Sequence, residues 1–143
     1  MEKKNLDIVR TFFETGPEGD MDAARGVLDD NIEWIEPDVP GLWFAGIHRG
    51  AEAALREVVK PTFEYVDDFS IMVDEYLDAG DEIIVLGRFL GKGKETRKSF
   101  DIPACFVCTV QNGKIIRFRA YHNTALWLDV IGEHAKGIKK KAA

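Results

Sequence analysis

The pattern of hydrophobic and polar positions divides this chain into helices first and strands afterwards. Apolar residues that recur near the helical period predict three helices in the first half, at residues 4–15, 21–28 and 51–60. Asp20 is a good N-cap for the second helix, and Pro61 is expected to stop the third. A short closing helix is predicted over residues 125–131, ended by Gly132.

Alternation of apolar and polar residues predicts strands in the remaining segments. The first strand, residues 31–36, puts Ile32, Trp34 and Glu36 on one face. An apolar loop follows, and the second half of the chain then predicts strands at residues 68–77, 82–90 and 97–110, with a turn through residues 91–93 and a bend at Pro103. Helices followed by an antiparallel sheet are typical of an α+β domain with its helices on one face of the sheet.

The strongest local signal is a hairpin over residues 106–123, with its turn at Asn112-Gly113. Asn-Gly favours a tight hairpin turn because both central residues must adopt positive φ. Alternation divides the second strand into two faces, one of Ile116, Phe118, Ala120 and His122 and the other of Ile115, Arg117, Arg119 and Tyr121. The first face is therefore apolar until it ends in a histidine.

Composition and charge narrow the classes of partner. The chain has 143 residues and a formal net charge of −6, which argues against nucleic acid because phosphate binding needs clustered cationic charge. We expect one domain over residues 1–132 and a flexible basic tail over residues 133–143. No stretch approaches the length of a membrane span, so we expect a cytoplasmic protein with no membrane partner.

Neither a metal nor a cofactor site is predicted. Cys105 and Cys108 have redox-motif spacing, but they lie in a predicted strand, where residues three apart face opposite sides, so we interpret them as reduced thiols. The three histidines are scattered and form no ligand set. No glycine-rich loop leads into a helix that would hold phosphate.

Two side chains carry the candidate chemistry. Glu36 ends a strand on its apolar face, where a carboxylate either finds a partner or becomes a base suited to neutral pH. His122 ends the last strand and titrates near pH 7, so it is a candidate acid or hydrogen-bond donor. The alternatives are a glutamate that reaches solvent and a histidine that is simply packed. Three tryptophans around the apolar face would line a pocket for a flat apolar ligand.

Five local runs, in this order, resemble the SnoaL-like, ketosteroid isomerase-related branch of the nuclear transport factor 2-like superfamily. They are GDMD at residues 19–22, IEWIEP at 32–37, AGIHRG at 45–50, DAGDEIIVLGR at 78–88 and GKIIRFR at 113–119, with Tyr121. The resemblance implies a cone-shaped, curved antiparallel sheet wrapped around three to four helices, the cystatin-like fold, with an apolar pocket inside. It also implies a homodimer through the outer face of the sheet, where Arg117, Arg119 and Tyr121 would lie.

The resemblance assigns roles to individual positions. Glu36 before Pro37 matches the general base of the ketosteroid isomerases. Their two oxyanion donors, a tyrosine and a protonated aspartic acid, correspond here to Thr11 or Phe12 and to Phe106, and the acidic residue that related cyclases place on the last strand corresponds to Ala120. We therefore expect Glu36 and His122 to be catalytic, and the substrate to contact Phe12, Trp34, Trp43, His48, Phe106, Phe118 and Ala120.

Three functions stay open at this point. The first is a cofactor-independent isomerase, lyase or polyketide cyclase-like enzyme that moves protons on a small apolar carbonyl compound. The second is a non-catalytic protein that binds an apolar metabolite in the same hydrophobic pocket. The third is a dimerisation or scaffold module whose own side chains fill the pocket. Fold alone does not choose among them.

Overall fold

A computed structural model describes residues 4–132 of the chain. Its helices are α1 (Asn5–Thr15), α2 (Met21–Gly26), α3 (Ala51–Ala54), α4 (Lys60–Tyr65) and α5 (Thr124–Val130), and a π-helical turn, Leu55–Val59, joins α3 to α4. Its strands are β1 (Leu28–Glu36), β2 (Gly46–Arg49), β3 (Val66–Ala79), β4 (Glu82–Gly93), β5 (Ser99–Gln111) and β6 (Lys114–His122). The predicted basic tail, residues 133–143, lies outside the described residues.

The six strands form one sheet in the order β2-β1-β6-β5-β4-β3. Neighbouring strands are antiparallel except for β1 and β6, which run parallel. Helix α1 packs on β3, β4, β5 and β6, and its buried residues Ile8, Val9, Phe12 and Phe13 join the core of the domain. The predicted α+β class, with a curved sheet around helices, is confirmed.

The predicted hairpin is present, but its register contains a bulge. Asn112 and Gly113 have φ of 52° and 77°, and Gln111 pairs with Lys114. Thr109 pairs with Arg117 and Val110 with Ile115, so Ile116 is one extra residue on β6. Because of this extra residue, the part of β6 between the turn and the bulge has its inward and outward positions exchanged relative to the prediction. Ile115, not Ile116, is buried, while Phe118, Ala120 and the side chain of His122 face inward as predicted.

The first predicted boundary that differs is the end of the second helix. It ends at Gly26 rather than residue 28, and β1 begins at Leu28, three residues earlier than expected. Leu28 pairs with Ile115 on β6 and is 1% exposed. The helical spacing of apolar residues up to residue 28 is only a local preference. The pairing of Leu28 with β6 outweighs it and places this residue in a strand.

The helix that begins at Ala51 does not stop at Pro61. A π-helical turn precedes Pro61, with the Lys60 N–H donating to the Leu55 carbonyl, and the backbone then continues as α4. Pro61 lies in the first turn of α4, where a helix does not need the N–H that proline lacks. The prediction of a stop at this residue was wrong for that reason.

Two segments assigned to loops or turns belong to strands. Residues 46–49, taken as loop, form β2 and pair with β1. The predicted turn at residues 91–93 is the end of β4, and the chain reverses later, where Arg97 has φ of 63°. A side chain at Gly93 would collide with the carbonyl of Val130, so the glycine allows α5 to approach rather than a turn to form.

His48 ties β2 to the π-helical turn. Its Nε2 lies 2.7 Å from the Phe44 carbonyl oxygen and its Nδ1 lies 2.8 Å from Glu57 Oε1. Both partners are acceptors, so both ring nitrogens donate and the imidazole is positively charged. The hydrogen bond from His48 is the main reason why the pKa of Glu57 is lowered below its usual 4.5.

We expect Glu57→Gln to reduce the free energy of unfolding at pH 7 by about 1 kcal/mol or less, because the Glu57 side chain is 42% exposed and solvent screens the pair. The lowered pKa means that this stabilisation is complete above pH 4.5 and is lost as the pH falls through the folded-state value. Urea unfolding at pH 7 and well below pH 4.5 should therefore show the difference shrink on acidification. Exposed Glu64, on the same helical run, supplies a matched control as Glu64→Gln. Equal stability of Glu57→Gln and wild type at pH 7 would contradict this account.

Candidate functional site

Glu36 ends β1 with its carboxylate inside the molecule. Alternation along β1 buries Ile32, Trp34 and Glu36, and the Glu36 side chain is 6% exposed. The indole N–H of Trp34 donates to Glu36 Oε2 over 2.8 Å. The strand therefore supplies both the carboxylate and one of its donors, two residues apart on the same face.

His122 meets Glu36 from the parallel neighbour, β6. Its Nε2 is 2.9 Å from Glu36 Oε1, and its side chain is 1% exposed. The other ring nitrogen, Nδ1, is 3.0 Å from the indole nitrogen of Trp127 on α5. An indole N–H can only donate, so Nδ1 accepts, and in the neutral ring the proton is on Nε2 and is donated to Glu36.

The site keeps a negative charge. Both Glu36 oxygens accept hydrogen bonds from neutral groups, which favours the ionised carboxylate. Within residues 4–132, no lysine or arginine forms an ion pair with Glu36. A buried carboxylate with neutral donors but without a cation retains much of its capacity to attract a proton or a positive ligand.

Glu36 and His122 line a cavity of about 60 Å³. The rest of its lining is almost entirely apolar and includes nine aromatic side chains: Phe12, Trp34, Trp43, Phe44, Phe69, Phe89, Phe106, Phe118 and Trp127. Trp34 and Phe118 stack with ring centroids 3.9 Å apart, and Phe12 packs edge-on against both rings. Drug-sized ligands occupy about 300–1,000 Å³, so this cavity suits a ligand of a few non-hydrogen atoms.

Five of the seven residues expected to contact substrate line the cavity: Phe12, Trp34, Trp43, Phe106 and Phe118. His48 does not, because its ring is held between Phe44 and Glu57. Ala120 is buried on β6 and pairs with Phe106, but it is not among the residues that line the cavity. Glu36 and His122 are brought together, whereas His48 and Ala120 lie outside.

Phe44 and Phe89 line the cavity but were not among the expected site residues. Trp127 also lines it, and the sequence pointed to it only as one of three tryptophans around the pocket, not as a partner of His122. Phe89 lies on β4, which is apolar on both faces, so periodicity does not reveal its direction. Phe44 lies in a loop without periodicity. A tryptophan in the helix directly after His122 is the one signal that points to Trp127, because an indole N–H in a core needs an acceptor.

Other features of the described chain add no further site of this kind. Within residues 4–132, no three histidine, cysteine or acidic side chains lie close enough together to hold a metal ion. Cys105 and Cys108 are free, and burial raises the pKa of the Cys108 thiol. A surface depression near α2 is lined by charged residues, but its Arg25 already pairs with Asp30 and Glu52. No helix of this part of the chain is long and apolar enough to cross a membrane.

The sequence and the fold match known proteins. The family model of the SnoaL-like domain matches residues 9–118. An NTF2-like protein from Burkholderia thailandensis is 30% identical, with 90% of this chain and 97% of that chain covered and a TM-score of 0.82. A putative SnoaL-like polyketide cyclase from Jannaschia sp. is 17% identical, with 92% and 96% covered and a TM-score of 0.77.

A protein with a ketosteroid isomerase-like fold from Catenulispora acidiphila, in complex with trimethylamine, is 12% identical, with 90% of this chain and 93% of that chain covered and a TM-score of 0.75. At that identity the likeness concerns the fold alone. Among curated proteins, none matches the sequence. Since the family model covers most of the sequence and the architecture agrees, the chain belongs to the SnoaL-like domain family of NTF2-like proteins.

Proposed function

We propose that this protein is a small-molecule enzyme in which Glu36 moves a proton on a small, apolar carbonyl compound. The observation that supports it most is the Glu36–His122 pair, with 2.9 Å between Oε1 and Nε2, buried at the wall of an apolar cavity. A carboxylate at the wall of a cavity lies within reach of a bound ligand and is therefore placed to act as its general base.

The proposed step needs no co-reactant. Glu36 takes a proton from the carbon next to the carbonyl group, the C–H electron pair forms the enolate double bond, and the carbonyl π electrons move to oxygen. Return of the proton from Glu36 to a conjugated carbon completes an isomerisation. Where the protonated Glu36 first trades its proton with water, return to the same carbon completes a hydrogen exchange. His122 and Trp34 hold the carboxylate in place throughout, so that little motion is needed in the transition state.

The enolate oxygen needs a hydrogen-bond donor, and Trp43 is the best placed. Its indole N–H donates to the Val58 carbonyl over 3.2 Å, and that carbonyl also accepts from the Thr62 hydroxyl over 2.9 Å. A ligand oxygen that accepted the Trp43 N–H would therefore leave the Val58 carbonyl still paired with Thr62. The other two indole N–H groups at the cavity are engaged by Glu36 and His122.

We expect Glu36→Gln to lower proton exchange into a bound ketone by about 10²-fold or more, because the amide cannot accept the proton. The measurement is deuterium incorporation from D₂O into small ketones such as butanone or cyclopentanone, followed by NMR. Glu57→Gln is the matched control, since it makes the same change at the other histidine–carboxylate pair, outside the cavity. Exchange that is equally fast in Glu36→Gln and wild type would exclude Glu36 as the base.

A second candidate function is the binding of a small alkylammonium ion. The described part of the cavity wall combines aromatic faces, which attract cations, with an ionised carboxylate that no protein cation neutralises. The distant structural neighbour in complex with trimethylamine gives this alternative some support. The two candidates differ in what Glu36 does: it either receives a proton or balances a charge.

If the second candidate holds, tetramethylammonium should bind at least about tenfold more tightly than tert-butanol, a neutral molecule of similar size. Isothermal titration of both compounds into wild type, Glu36→Gln and Glu57→Gln provides the comparison. Loss of the preference in Glu36→Gln alone is the expected result. Equal affinity for the cation and the alcohol in the wild-type protein would rule out the charge-based interpretation.

We also propose that the outer face of the sheet binds a second copy of the chain. One cross-strand row on this face runs through the whole described sheet: Ile47, Ile35, Arg119, Val107, Ile84 and Leu77. The row is apolar except for Arg119, which pairs with Glu82. A face that carries both an arginine and a glutamate beside apolar side chains is complementary to itself across a two-fold axis.

Light scattering should then give twice the 16.1 kDa mass of the chain. Tyr121 is on this face and 54% exposed, so Tyr121→Asp should shift the protein towards monomer without unfolding it. Leu126 is 40% exposed and lies on α5 rather than on a strand, and Leu126→Asp is the matched control. A wild-type protein that stays monomeric at high concentration would contradict the proposed interface.

A further inference from the structure

Trp127 holds the ring of His122 from the side opposite to Glu36. Its indole nitrogen is 3.0 Å from Nδ1, and the residue is 2% exposed. The rings of Phe44, Phe89 and Phe100 pack around the indole, with centroids 4.9 to 5.7 Å away. These contacts fix the direction of the N–H, so the donor cannot turn away from His122 without disturbing the core.

This donor at Nδ1 and the Glu36 carboxylate at Nε2 together determine where the ring carries its proton. A neutral imidazole has one N–H and one lone pair. With the lone pair at Nδ1, the ring accepts from Trp127 and donates from Nε2 to the Glu36 carboxylate. In the other tautomer, two N–H groups would face each other at Nδ1, and a lone pair would face the carboxylate at Nε2. Both contacts would then be repulsive.

Apart from Trp127 and Glu36, the surroundings of His122 do not favour one position of the ring proton over the other. The rings of Phe44 and Phe89 face it edge-on, at centroid distances of 5.0 and 5.1 Å. Across the described lining of the cavity, Glu36 is the one other titratable or charged group, and it carries the acceptor that Nε2 faces. Trp127 is thus the neighbour that adds a donor at Nδ1.

We propose that Trp127 is a positioning residue that keeps His122 neutral with its proton on Nε2. In this state His122 donates to Glu36 and has no free lone pair for the ligand, so the carboxylate is the base at the cavity wall. The inference rests on the proposed function in one respect: the role of Glu36 as the base. The tautomer itself is a property of the resting protein.

The first test is the tautomer, read from long-range ¹H–¹⁵N NMR of histidine-labelled protein at neutral pH. The wild type should show His122 protonated at Nε2 only. Trp127→Phe should show protons on both ring nitrogens, because no donor then faces Nδ1 while the Glu36 carboxylate still accepts from Nε2. Trp43→Phe is the matched control. It also removes a tryptophan of the cavity lining, but the N–H of Trp43 bonds to a backbone carbonyl and not to His122. Replacement of Trp127 by 3-benzothienylalanine, which keeps the ring shape without the N–H, serves where Trp127→Phe disturbs packing.

The second test is ketone deuteration in the wild type and in the two Trp127 replacements. Both Trp127 replacements should slow it at least about tenfold, as expected when the group that orients an imidazole is lost. An unchanged tautomer in both replacements would overturn the inference. A wild-type protein with the single tautomer but without Glu36-dependent exchange would overturn the proposed function while supporting the role of Trp127 in fixing the ring.

Discussion

The burial of one carboxylate among aromatic rings is the constraint on which the rest of the site depends. An isolated buried charge is strongly unfavourable, so Glu36 requires donors that reach it inside the core. Trp34 supplies one from the same strand and His122 supplies the other from the parallel neighbour. His122 in turn requires a partner at Nδ1, which Trp127 provides. Four side chains from three elements thus form one continuous chain of hydrogen bonds, and each is satisfied only while the others stay in place.

The two buried histidines illustrate how partners decide the chemistry of the same side chain. His48 faces two acceptors, a backbone carbonyl and Glu57, and is therefore a cation that fastens β2 to the helical layer. His122 faces one acceptor and one donor, and is therefore neutral. In the first pair the charges of imidazole and carboxylate offset each other. In the second the negative charge of Glu36 stays available, which is why that pair and not the first is suited to act on a ligand.

Local patterns in the sequence were enough to predict the hairpin, the inward direction of Glu36 and the position of His122 at a strand end. They were not enough where distant partners decide. The bulge at Ile116 depends on the register of β6 with β5. No residue pattern within β1 or β6 indicates that these two strands pair in parallel. From the sequence, Pro61 is expected to end the helix, because the π-helical turn that accommodates it is not evident from local patterns. The bond between Trp127 and His122 joins two residues five positions apart, but its direction comes from the aromatic core that surrounds both.

The parallel pairing of β1 with β6 has a consequence for biosynthesis. Glu36 and His122 are 86 residues apart, so their contact closes one of the longest loops in the domain. Contacts between distant residues form slowly, and a ribosome must release nearly all of this chain before β6 can dock beside β1. A nascent chain that lacks the last strand would hold Glu36 without His122 or Trp127, with Trp34 as the one that remains of its two described donors. Under the proposed function, activity on a ligand therefore arises only once β6 and α5 have both been made, and a product truncated before β6 would be inert.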